Sequence, residues 1–468
     1  MKGSNKMKKI LIIGVAFAAT AYSTIALAAI SYSYENDGKT LVVTVDSGTN
    51  WLQDDEYQAA MNANTVTNLI KRGSGSFGVN GTAQQFTGDV RIENGEIQLR
   101  ATNPLGAKGR IYIPEAKSLV IGAGNATTKS TIGKDIVTES TSGSDGSWTG
   151  YERKIYVWAG DNVVNGKLLF GNRRTWLRAY AGAMMTFNGG VGDLDTGGWP
   201  YFQPSGGATF VFTSKPCDCN GTFVIQSQTA SYPVDAKGFA GHFVFDAARN
   251  RIPAIGASND RVNFVELKTT VDYAFDNGSM SMHFGHNSVF DLFGTEQRVG
   301  QMSAATLASG ENPCIVTNSV VEPATLHMGM IWGSTSNIRF GGNLSVVFEN
   351  NIYDTNLDCG MTATGDLIIK GNGTGNANLN FLSNGSWANA TNVVVEGVGK
   401  IKIANPNALG RKANVYLASN SSLEISSGVT VNVRTLTING VQQPRGNYTF
   451  GSGTLHVSRP CGFMMSVQ

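Results

Sequence analysis

Charged side chains are scarce: Asp, Glu, Lys and Arg make up 15% of the 468 residues, where an ordinary globular domain carries about 25%. The 36 basic and 34 acidic residues nearly cancel and neither sign gathers into a run. Nucleic-acid binding and polybasic docking on a membrane therefore have no electrostatic footprint. Proline is rare at 12, and cysteine rarer at five, at positions 217, 219, 314, 359 and 461. So few cysteines cannot scaffold so long a chain, and an odd number leaves at least one without an intramolecular partner. Beyond the N-terminus no window reaches 18 apolar residues, so no integral membrane helix is expected. The chain also lacks G-x-S-x-G, a P-loop, H-E-x-x-H and a dinucleotide fingerprint, which removes the commonest sequence signs of an enzyme and of a cofactor. What it has instead is 57 glycines and 41% hydrophobic residues at a net charge of +2. That is too apolar for disorder.

Residues 1–28 carry an export signal. Lys2, Lys6, Lys8 and Lys9 form a basic leader, Ile10 to Ala19 an apolar stretch, and Ala26-Leu27-Ala28 an A-x-A cleavage site. The apolar stretch is shorter than the ~20 residues that span a bilayer. The expected mature chain begins at Ala29 and is secreted or held at the cell surface.

Period-two alternation recurs along the rest: Leu41, Val43, Val45; Val90, Ile92; Ile97, Leu99; Ile111, Ile113; Leu119, Ile121; and later Val393, Val395; Ile401, Ile403; Val415, Leu417; Leu423, Ile425; Val431, Val433; Leu436, Ile438. Short strands with one buried face, separated by Gly, Asn, Ser and Thr, predict an all-β protein. A sandwich, a barrel and a β-solenoid all satisfy that pattern. An internal repeat favours the solenoid. Ile97 to Ile121 aligns without gaps onto Ile401 to Ile425 at a constant offset of 304, sharing the Asn-x-Leu-Gly turns Asn103 to Gly106 and Asn407 to Gly410. Two distant stretches built alike are expected of coils in one repeating stack.

Leu69-Ile-Lys-Arg-Gly73-Ser-Gly75, Phe86-Thr-Gly88-Asp-Val-Arg-Ile-Glu-Asn-Gly95 and the Asn-x-Leu-Gly turn resemble the autotransporter-associated β-strand repeat of bacterial passenger proteins. Residues 269 to 302, with Ala274-Phe-Asp276, Phe290-Asp-Leu-Phe-Gly294 and Gln297-Arg-Val, resemble the stretch that precedes the closing repeats of the same proteins, and the ending from Leu436 to Val457 is similar to their last coils. The resemblance implies an elongated, right-handed parallel β-helix exported to the cell surface or beyond. Nothing after Val457 has room for the ~10-residue alternating strands of an autotransporter barrel, so export by another machine is expected. The expected organisation is residues 29–135 as N-terminal coils, 136–262 as a broader, loop-rich and aromatic-rich section, and 263–468 as C-terminal coils and cap. One short capping helix is expected over Gln53 to Asn62, where Asp54, Asp55 and Glu56 complement the first-turn dipole.

Candidate sites are few. Asp354-Thr-Asn356-Leu-Asp358 has the oxygen spacing of a calcium loop, but Cys359 and Gly365 stand where glycine and a bidentate glutamate are needed. His283 and His286 lack a third ligand at recognisable spacing. No metal, cofactor or catalytic residue is predicted. The feature with binding character is aromatic: four of seven tryptophans, Trp148, Trp158, Trp176 and Trp199, fall together with Tyr201 and with Arg173, Arg174 and Arg178. Flat rings and planar guanidinium groups suit sugar faces or a protein surface. The expected function is that of a non-enzymatic surface or secreted protein, adhesive or structural, meeting a glycan or a surface-protein partner and free to self-associate. The alternative is a polysaccharide-active β-helix enzyme.

Overall fold

The computed structural model describes residues 30–52, 59, 66–81, 85–114, 117–123, 129–139, 152–171, 174–194, 199–225, 234–256, 264–305, 312–333, 335–349, 354–371 and 378–458. The signal segment, the predicted helix at 53–62 apart from Ala59, and Cys461 lie outside them. The chain divides into two compact units, 1–221 and 222–468, and the division falls inside the section expected to be the broader one.

In the first unit, strands of two to six residues stack in parallel into three sheets. One sheet runs through Thr40–Val45, Asn68–Arg72, Asp89–Ile92, Arg110–Ile113, Asp135–Thr138, Leu168–Phe170 and Val191–Asp193. A second runs through Thr49–Leu52, Ser76–Val79, Glu96–Leu99, Ser118–Ile121, Glu152–Val157, Arg174–Ala179 and Trp199–Gln203. Thr131–Ile132, Asp161–Val164, Met184–Phe187 and Ala208–Thr213 belong to the third. The chain visits the sheets in turn, which is a parallel β-solenoid. Each strand sends alternate side chains inward, so a four-residue strand supplies two core residues. Ile30–Glu35 runs antiparallel along the edge of Thr40–Val45, and so occupies backbone groups that would otherwise be a bare edge.

The repeat is one coil. Ile97 pairs with Leu119 and Leu99 with Ile121 across neighbouring parallel strands; in the second unit Ile401 pairs with Leu423 and Ile403 with Ile425. The first and last strands of each 25-residue repeat therefore lie on top of one another, which a sandwich cannot do. The two turn glycines are needed for different reasons. Gly106 adopts φ +82°, whereas a Cβ on Gly410 would lie 1.8 Å from the Ala388 carbonyl oxygen.

The second unit is also a parallel solenoid. Its longest ladder joins Ala254–Ile255, Asp276–Phe284, Glu296–Ala304, Ala324–Trp332, Leu344–Glu349, Leu367–Lys370, Asn392–Glu396, Asn414–Leu417 and Thr435–Ile438, and ends on the antiparallel Val441–Gln442. At its C-terminal side Gly453–Val457 pairs in parallel with Thr430–Val433 and carries Gly446–Phe450 as an antiparallel cover. The alternating residues of the sequence pattern are buried from Leu41 through Leu436. Ile438 is half-buried, because its strand is followed only by the two-residue Val441–Gln442.

Width in the first unit comes from phenylalanine. Phe202 meets Phe170, Phe187, Phe210 and Phe212 at ring distances of 5.3 to 6.1 Å, drawing on all three sheets. Two lysines are buried in the same unit, both hydrogen-bonded to backbone carbonyls of the turns. Lys71 Nζ donates to Arg72, Gly73 and Asn94 at 2.7, 2.8 and 3.1 Å. Lys134 Nζ donates to Gly88 at 2.6 Å and to Lys108, and lies 4.6 Å from the Phe86 ring centre.

Candidate functional site

The expected aromatic patch divides between the inside and the outside of one wall. Glu152–Val157, Arg174–Ala179 and Trp199–Gln203 are parallel neighbours, with Trp176 opposite Tyr201 and Leu177 opposite Phe202. Phe202 points into the phenylalanine core, so the adjacent Tyr201 and its partner Trp176 point to the outer face. They are nevertheless 0% and 4% exposed and stack at 5.4 Å and 14°. Contact with a partner therefore does not fall on Trp176 or Tyr201: buried and stacked on each other in register, they are part of the packing. Trp199 is half-buried. Trp158 is 51% exposed; it follows Val157 just as Tyr180 follows Ala179 on the next rung, and the two rings meet at 5.5 Å. The Arg178 guanidinium lies 4.8 Å from the centre of the Tyr180 ring. Trp148 and Arg173 lie outside the described residues, as does the side chain of Arg174. At the surface stands Trp158, with Tyr180 and Arg178 half-buried beside it and Trp199 half-buried two rungs on; the sequence does not single out Tyr180.

A second arrangement, in the other unit, was not foreseen. The three long strands Asp276–Phe284, Glu296–Ala304 and Ala324–Trp332 bend midway, where alternation breaks and two successive residues, Gly300-Gln301 and Gly329-Met330, both leave the core. Gly300 and Gly329 sit in one column, continued by Glu349, and the ladder is bulged between Asn277 and Ser281. The bend opens a groove of about 460 Å³ lined by Ser279, Ser281, Arg298, Gln301, Met330 and Glu349 with those glycines. Along its side, Arg298 is the ladder partner of both Asp276 and His327.

Charge is concentrated here. The His327 Nε2 lies 3.0 Å from Glu296 Oε1, and its Nδ1 lies 3.4 Å from Glu349 Oε2 without a hydrogen bond to it. Arg298 Nε donates to Glu349 Oε1 at 2.9 Å, and its Nη1 is 3.6 Å from Asp276 Oδ1. The Tyr273 hydroxyl donates to Glu296 Oε1, and that carboxylate together with burial raises the pKa of the phenol. Three carboxylates thus face one guanidinium and one imidazole. The sequence hid this because coil length varies: the successive ladder partners Asp276, Arg298, His327 and Val347 are separated by 22, 29 and 20 residues, so no fixed spacing marks the column.

The remaining motifs serve the ladders. Asp354 accepts hydrogen bonds from the Asn378 backbone and side chain and from Asn380, while Asp358 accepts one from Thr335. His283 Nδ1 and Ser303 Oγ share a hydrogen bond at 2.7 Å, and His286 packs edge-on to Phe264. Cys217, Cys219, Cys314 and Cys359 are buried free thiols, and burial pushes the Cys217 thiol up to about 12. No protein family, curated protein or solved structure matches the chain.

Proposed function

We propose that this chain is an exported, non-enzymatic β-solenoid of the bacterial surface or its surroundings, adhesive or structural in role, which meets a glycan or a surface protein through the Trp158, Tyr180 and Arg178 surface. The observation that carries this reading is the 51% exposure of Trp158 in contact with the half-buried Tyr180, on successive rungs of a wall where Trp176 and Tyr201 are packed away. A rigid ladder holds the two rings at a fixed spacing, so binding orders little. Export is supported by the residue pattern of positions 1–28, whose removal leaves every described strand intact, since the first opens at Ile30. Among the described residues no helix is long and apolar enough to cross a membrane. The likeness of residues 69–95 and 436–457 to passenger repeats points the same way.

The test is a glycan array and a pull-down from cell-surface extract with the mature protein. Each exposed ring contributes on the order of 1–1.5 kcal/mol, so Trp158→Ala with Tyr180→Ala should weaken binding about tenfold or more. Unchanged binding would overturn the assignment. One observation favours a polysaccharide-active enzyme instead: Glu296 and Glu349 flank His327 beside a groove, and paired carboxylates are what glycoside cleavage uses. Release of reducing ends or of unsaturated products from any polysaccharide would decide for that reading.

A further inference from the structure

We propose that the glycine-floored groove of the second unit is a saccharide site of its own, selective for a neutral or amine-bearing glycan over an acidic one. Three independent features converge on it. The first is shape. From the bulge at Gly278 through Gly300 and Gly329 to Glu349 the floor crosses three rungs, roughly 14 Å at the spacing of stacked strands, the length of a short oligosaccharide. A volume of about 460 Å³ falls in the range of ligand sites.

The second is a glycine that the fold does not require. A Cβ on Gly300 would meet the Gly278 carbonyl oxygen at 2.3 Å, and one on Gly329 the Gly300 carbonyl oxygen at 2.5 Å, so backbone approach dictates those two. At Gly278 a Cβ would have nothing within 4 Å, and the residue is not in the left-handed region. Packing and backbone geometry therefore leave that position open to any residue. Gly278 lines the groove and, having no side chain, takes up none of its space. The bulge that carries Gly278, with the Ser279 amide donating to Asn277 Oδ1 at 2.9 Å, re-aims the strand at this point.

The third is charge and hydrogen-bonding capacity. Arg298 and Glu349 line the groove and pair with each other, while Asp276 and Glu296 stand beside them and bring the three carboxylates to an excess of two over Arg298. Arg298 is already committed to Glu349 and Asp276. A uronate or sulfated sugar would meet repulsion with no uncommitted cation among the described residues of the lining to receive it, whereas hydroxyls and ammonium groups find the Glu349 carboxylate as acceptor, and Ser279, Ser281 and Gln301 add both donors and acceptors.

The experiment is calorimetric titration of the full mature protein with chito-, cello- and xylo-oligosaccharides and glucosamine oligomers, against oligogalacturonate and oligoalginate of equal length. At least one neutral or amine-bearing oligomer should bind, more than tenfold tighter than either acidic one. Gly278→Phe, which fills the groove where no atom stands, should abolish that binding while leaving the thermal unfolding temperature in place; should it unfold the protein, Gly278→Val takes its role. Trp158→Ala should leave this binding unchanged, which separates the groove from the aromatic surface of the first unit. Binding that survives Gly278 substitution, acidic oligomers that bind equally well, an oligolysine peptide preferred over every saccharide, or no binding by any neutral or amine-bearing oligomer would each overturn the proposal.

Discussion

Lys71 and Lys134 are the costly residues of the first unit. Burial pushes both ammonium groups down to about 8, partly opposed by Glu96 and Asp46 near Lys71 and by Asp89 near Lys134. An amine with a depressed folded pKa is protonated in the unfolded chain but not in the folded one between about pH 8 and 10.5, so stability rises with pH across that window. The denaturation midpoint should therefore increase from pH 8 to pH 10 by more in the native protein than in Lys71→Met, and equal slopes in the two would refute it. His242 has the opposite sign. Hydrogen bonds from its ring to Glu266 at 2.7 Å and Asp235 at 2.9 Å raise its pKa from the ordinary 6.5. Its stabilising contribution is complete below about pH 6.5 and fades as pH rises through the raised value. His242→Gln should flatten that decline; a decline that persists undiminished assigns it to other groups.

At the level of the element, a coil is a set of short strands whose corners are specified one residue at a time. Gly410→Ala drives a methyl group into the Ala388 carbonyl and should cost on the order of 1–3 kcal/mol or more, whereas Gly278→Ala, with open space around it, should stay within about 0.5 kcal/mol. Chemical denaturation of the two variants in parallel measures the contrast, and equal losses would mean that the Gly410 corner relaxes. Leu423 is buried and pairs with Ile401. Leu423→Asp places an unpaired carboxylate between coils and should lose about 4 kcal/mol or more, read as early protease cleavage in residues 400–457. A protease pattern identical to that of the native protein would show the ladder register to be wrong.

For the whole molecule, stability should be graded along each unit, because an inner coil has neighbours on both sides and an end coil on one. Ile30–Glu35 and Gly446–Phe450 are antiparallel covers in which no residue is fully buried. Their amides should exchange with deuterium at least about 100-fold faster than those of Arg110–Ile113 and Leu344–Glu349, which are paired on both edges and have half or more of their residues buried. Uniform exchange would indicate that each unit opens all at once.

Alternation and the 25-residue repeat were sufficient for the all-β class, for the inward residues and for coil stacking, because period-two burial and a shared turn are local properties of a strand pair. Tertiary structure alone decided which polar residues meet. Trp176 and Trp158 are equally apolar in the sequence, and only the register that stacks Trp176 on Tyr201 separates the buried ring from the exposed one. Glu296, Arg298, His327 and Glu349 are likewise unmarked along the chain. Coils of unequal length bring them together on one wall, with Arg298 and His327 as direct partners, since a ladder aligns residues by backbone hydrogen bonding and takes no account of the loop between them.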